Sequence, residues 1–134
     1  MIDRTALRDE IARSLDRVAE RGFDPTEEVY ARLFTAYPAM EALFVRDTTG
    51  AVRGHMLFEV VEAIVDLVGP RSYAHGLIAA ERVNHDHLGV DRDAFLAFFA
   101  ILRDTLAAEL AGDWTAAMDA AWRDLLCEIE TMIA

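Results

Sequence analysis

Apolar side chains recur at three- and four-residue spacing along nearly the whole chain, the period of helices that each bury one face. Leu7, Ile11, Leu15 and Val18 share one side of a run from 4 to 21, which Gly22 ends. Asp24-Pro25-Thr26-Glu27 then reads as a helix start. Asp24 can accept the first free amide hydrogens, Pro25 suits the first turn, and Glu27 completes a capping box. The helix it opens carries Val29, Leu33, Phe34 and Tyr37. Pro38 breaks it and starts a short helical turn through Phe44, before the polar loop Arg46-Asp47-Thr48-Thr49-Gly50.

A long helix is predicted from about Val52 to Val68, closed by Gly69-Pro70, and another from Tyr73 to His87, stopped by Gly89. Asp91 can cap the next, which carries Phe95, Phe98, Phe99, Leu102 and Leu106. Gly112 interrupts the pattern and Asp113 restarts it, with Trp114, Met118, Trp122, Leu125, Leu126 and Ile129 lining the last helix. No segment alternates as a strand would, and neither a repeat nor a linker divides the chain. The pattern predicts a single all-α domain over 1–134 with about seven to eight helices.

Composition narrows the function classes. The chain of 134 residues is 54% hydrophobic and 28% charged, enough apolar residues for one core and enough charge for an aqueous surface. A formal net charge of -11 argues against nucleic acid and anionic membrane as partners. All its basic residues other than histidine are arginines. One cysteine, Cys127, leaves no intramolecular disulfide to form, and its apolar neighbours Leu126 and Ile129 predict burial. The first twenty residues hold no apolar signal core, and the longest apolar run, from Ala94 to Leu102, is too short for a bilayer. The expected location is the cytoplasm.

The chemistry-bearing residues cluster in Val83-Asn84-His85-Asp86-His87-Leu88-Gly89-Val90, where two histidines stand at the end of a helix beside a glycine stop. Either could ligate a metal through a neutral ring nitrogen, and either could instead sit in solvent, favoured by the negative end of the helix dipole. Tyr30-Ala31-Arg32-Leu33-Phe34 and Pro38-Ala39-Met40-Glu41-Ala42-Leu43-Phe44 place aromatic residues on two earlier segments. These stretches, with Ala121-Trp122 on the last helix, resemble the globin family, above all bacterial single-domain globins and the globin domain of flavohaemoglobins. The likeness covers nearly the whole chain.

The resemblance implies a globin fold around a haem b pocket. His85, five residues before Val90, matches the proximal histidine that holds the iron, with Val90 in the turn that leaves it. Tyr30 matches the distal tyrosine, whose hydroxyl stabilises bound oxygen by a hydrogen bond. Phe44 matches the phenylalanine that stacks on haem. Phe95 stands where flavohaemoglobins carry a proximal tyrosine. His87 shares a face with Val83 and Ala80, so periodicity leaves it as a competing ligand, while the spacing to Val90 favours His85. His75, near the start of its helix, is expected to be exposed.

The long middle helix offers Arg53 and His55 toward such a pocket. Arg53 shares a face with Leu57, Val60, Val61, Ile64 and Val68; His55 shares one with Glu59, Glu62 and Asp66, read as the water side. A pocket lined by Glu59 would bury charge. This reading puts Arg53 at the pocket mouth, turned either inward to a ligand or, as preferred, outward to a haem propionate, and Leu57 over the haem, with Gly54 allowing a close helix crossing. On the proximal side, Glu81 lies one turn before His85; either its carboxylate or a backbone carbonyl could accept the imidazole N–H, and the carbonyl is preferred.

Read this way, the chain is a haem-binding globin that takes oxygen, nitric oxide or carbon monoxide at a pentacoordinate iron, as a monomer or homodimer. Nitric oxide dioxygenase activity would need an external reductase, because no nucleotide-binding motif such as G-x-G-x-x-G occurs. A haem-free globin-like interaction module is the alternative of a different class.

Overall fold

The computed structural model describes residues 3–133. Its elements are α1 (Arg4–Glu20), α2 (Thr26–Ala36), a 3-10 helix (Pro38–Phe44), α3 (Ala51–Val68), α4 (Ala74–His87), α5 (Arg92–Leu110), a 3-10 turn (Ala111–Asp113) and α6 (Ala116–Met132). No strand occurs among the described residues, so the chain is all-α. Among the same residues, no helix is long and apolar enough to cross a membrane.

Helix starts follow their side-chain caps. Asp3 accepts from the amide of Ala6, Asp91 from Ala94 and Thr115 from Met118. Asp24 Oδ1 accepts from both the amide and the hydroxyl of Thr26, acting from one residue ahead of Pro25. The last helix therefore starts at Thr115 rather than at Asp113, whose carboxylate instead takes a hydrogen bond from Arg21 at 2.6 Å. Gly89 closes α4 at φ +89°, a conformation that favours glycine.

The α3–α4 junction departs from the sequence reading. Asp66, expected in water, is buried. Its carboxylate accepts from the amides of Ser72, Tyr73 and Ala74 at 2.8–3.0 Å and so caps α4. Burial pushes this carboxyl up, but the amides of Tyr73, Ala74 and Ser72 outweigh it and hold it below its ordinary value. Arg71 makes the turn in the left-handed region, at φ +57°.

The core joins α1, α3, α5 and α6, with α5 touching α1, α2, α4 and α6. Trp122 at its centre is fully buried, and its Nε1–H donates to Ser14 Oγ at 2.9 Å while the Ser14 hydroxyl donates to the Ile11 carbonyl. A buried serine on an apolar helix face thus satisfies the one polar atom of a buried tryptophan. Cys127 is exposed, against expectation. It lies between Leu125 and Ile129, two residues from each, which turns it to the far side of α6 from the core. Gly54 has nothing within 4 Å of where a Cβ would stand, so no close crossing requires it.

Candidate functional site

A cavity of about 390 Å³ opens between α2, the first 3-10 helix, α3, α4 and α5. That volume lies within the roughly 300–1,000 Å³ of small-molecule sites. Neither α1 nor α6 contributes to its walls. Tyr30 and Leu33 come from α2, and Met40, Leu43 and Phe44 from the 3-10 helix. Val52, Met56, Val60 and Ala63 come from α3, Leu77, Ile78 and His85 from α4, and Ala94, Phe95, Phe98 and Phe99 from α5. Leu88 and buried Val90 close the corner after α4. At the mouth, Leu43, Val52, Leu77 and Leu88 are each more than a third exposed, an apolar rim that suits a ligand with a broad apolar body.

Tyr30 is buried among Phe34, Phe44 and Phe98, whose rings lie 5.3–5.9 Å from its own. Its hydroxyl is buried without a hydrogen-bond partner on a wall of the cavity. Burial pushes its ionisation well above the ordinary range, with Arg53 opposing the shift and Asp47 adding to it. The hydroxyl is thus a protonated donor at every physiological pH. A buried, unpaired hydroxyl costs about 1–3 kcal/mol, and a ligand acceptor in the cavity would relieve that cost.

His85 faces Tyr30's cavity from α4. Its Nδ1 lies 2.8 Å from the Glu81 carbonyl oxygen, which can only accept, so Nδ1 carries the proton. In the neutral ring this tautomer leaves the Nε2 lone pair for a metal. Phe95 packs edge-on against the ring, with centroids 5.4 Å apart. His87 is exposed and off the cavity wall, and His75 is exposed as well. The backbone-carbonyl partner preferred from sequence is the one found.

On α3 the structure turns the expected face. Leu57 is buried in the core and Arg53 is half-buried, and neither lines the cavity; Val52, Met56, Val60 and Ala63 do. Arg53 Nε donates to Asp47 Oδ2 at 3.0 Å and its Nη2 donates to the Asp47 carbonyl. Asp47 itself is buried and accepts the amides of Val52 and Arg53, capping α3 from the loop. Burial raises the Asp47 carboxyl, but the amides of Arg53 and Val52 and the Arg53 guanidinium bring it below its ordinary value. The guanidinium is therefore committed to this loop rather than free for a propionate. Glu59, read as excluded, lines the cavity at its mouth, where it is exposed and meets His55 Nε2 at 3.0 Å. Asp47 escaped the sequence reading. Its signal was an aspartate a few residues ahead of a helix start, in a loop read only as polar.

The residues present fit haem. Among the described residues, no group of three or more His, Cys, Asp or Glu side chains could hold a metal ion unaided. A single histidine with a free Nε2 suits a metal that brings its own ring of nitrogens. The apolar walls suit the ring body, and the orphaned Tyr30 hydroxyl supplies a donor inside the same space. Glu59 and Glu81 are the carboxylates on the wall. The family model described as Globin matches residues 27–133. No curated protein and no solved structure matches the chain.

Proposed function

The chain belongs to the globin family, and from that premise we propose that it binds haem b in the cavity and reversibly binds oxygen, with nitric oxide and carbon monoxide as further ligands. Haem, when bound, supplies an iron with an open coordination position for a diatomic molecule. The residues of the chain do the rest. His85 would hold the iron through Nε2, its ring fixed by the Nδ1–H bond to the Glu81 carbonyl. Tyr30 offers its hydroxyl to a ligand in the cavity, and in a dry site that bond is stronger than in water. Phe44, Phe98 and Phe99 exclude water and give the ring aromatic surfaces to seat against.

The observation that carries this reading is the pairing of two polar atoms on one apolar wall set: an unpartnered Tyr30 hydroxyl and a His85 ring with Nε2 free. An interaction module would have no use for either. The test is the visible absorption spectrum of the purified protein titrated with hemin, then reduced, then exposed to carbon monoxide. A strong Soret band that shifts with carbon monoxide is expected. A protein that takes up no hemin would refute the proposal and leave the haem-free interaction module in its place.

A further inference from the structure

The geometry points to Glu81 as a positioning residue for His85, acting through its side-chain carboxylate as well as its backbone; the inference rests on the haem reading of the cavity. Glu81 stands one helical turn before His85 on α4 and lines the same cavity. The His85 Nδ1 is 2.8 Å from the Glu81 carbonyl oxygen and 3.5 Å from its carboxylate Oε2. The first is a formed hydrogen bond. The second is too long to be one, yet it sets a negative charge on the side of the ring where the proton sits.

Two features leave that carboxylate available to the ring. Its other contact is a long one, from Asn84 Nδ2 at 3.4 Å. No arginine pairs with it among the described residues. Its side chain is 42% exposed, so water screens its charge. Any group that fills the cavity removes part of that water and lets the charge act harder on the ring. A negative charge beside the N–H of a ligating histidine makes the ring a more basic donor. The stronger donor favours ferric over ferrous iron.

The experiment uses hemin-loaded wild type, Glu81→Gln and Glu81→Ala. Both variants keep the backbone carbonyl, so both keep His85 ligation and the Soret band. The ferrous iron–histidine stretching frequency should fall in both. The midpoint potential should rise, by about 59 mV for each tenfold loss of ferric preference. Wild-type values in both variants would reduce Glu81 to a solvated side chain and overturn the inference. Should the wild type take up no hemin, the reading of the cavity fails instead. The nitrogen-15 resonance of His85 Nδ1 in the apoprotein then decides: a shift in Glu81→Gln upholds the action of the carboxylate on the ring, and an unmoved resonance refutes it.

Discussion

At the scale of single residues, the division of labour between Tyr30 and Arg53 is the sharpest consequence of the site. Tyr30 has an unpartnered hydroxyl on the cavity wall, whereas Arg53 is spent on Asp47. Tyr30→Phe should therefore speed oxygen dissociation by about tenfold, the equivalent of one hydrogen bond of about 1.4 kcal/mol, while Arg53→Ala changes it far less. Stopped-flow displacement of oxygen by carbon monoxide measures both, and equal rates in Tyr30→Phe and wild type would remove Tyr30 from the site. The same substitution should leave the apoprotein as stable or about 1 kcal/mol more so, because it deletes a buried polar atom that has no partner. The two histidines divide as plainly. His85→Ala should abolish the Soret band on hemin addition and His87→Ala should retain it, since only His85 lines the cavity. From sequence alone that choice rested on the register to Val90.

At the scale of elements, two helix starts were legible from an aspartate directly ahead of the apolar period, whereas the Thr115 cap of α6 and the more distant caps Asp47 and Asp66 were not. Asp91 and the Asp24-Pro25 start stand where the pattern put them, because a short acceptor ahead of an apolar period has few other uses. The phase of α3 was not legible. Leu57, Ile64 and Val68 face the core, Val52, Met56, Val60 and Ala63 face the cavity, and Phe58 and Val65 are exposed. A helix that is apolar on several sides cannot be phased by its apolar residues. Glu59 misled for a related reason: a cavity with an open mouth lets a carboxylate line it while its oxygens stay in water. Asp66 was misread because its amide partners lie six to eight residues ahead, beyond helical spacing. Its carboxylate makes the α3–α4 corner, so Asp66→Ala should lower the melting temperature by several degrees and fray the start of α4, seen as faster amide exchange at residues 72–76.

At the scale of the molecule, the charge of -11 conceals a set of carboxylates that favour the folded state. Asp24, Asp47, Asp66 and Glu128 are all held below their ordinary values. Burial of Glu128 works against this, and the hydrogen bonds from Arg71 and Arg4, which tie it to the α3–α4 corner and to α1, outweigh it. A depressed carboxyl binds its proton more readily in the unfolded chain. Its contribution is thus complete above the ordinary value and lost as pH falls through the folded one. Denaturant melts should show stability nearly level from pH 7 to 5 and falling steeply below about 4, with a shallower acid limb in Asp66→Asn. Hemin at a hundred times its dissociation constant should add about 2.7 kcal/mol to the wild type and little to His85→Ala.

The walls of the cavity come from α2 through α5, and α1 and α6 pack against each other without touching it. For the proposed haem, loading and release are therefore expected to need local opening of the α3–α4 side alone, with the Trp122 core kept shut. Seen through deuterium uptake, the protein should run on two clocks. Hemin would slow exchange in α4 by orders of magnitude and leave α1 and α6 keeping their own time.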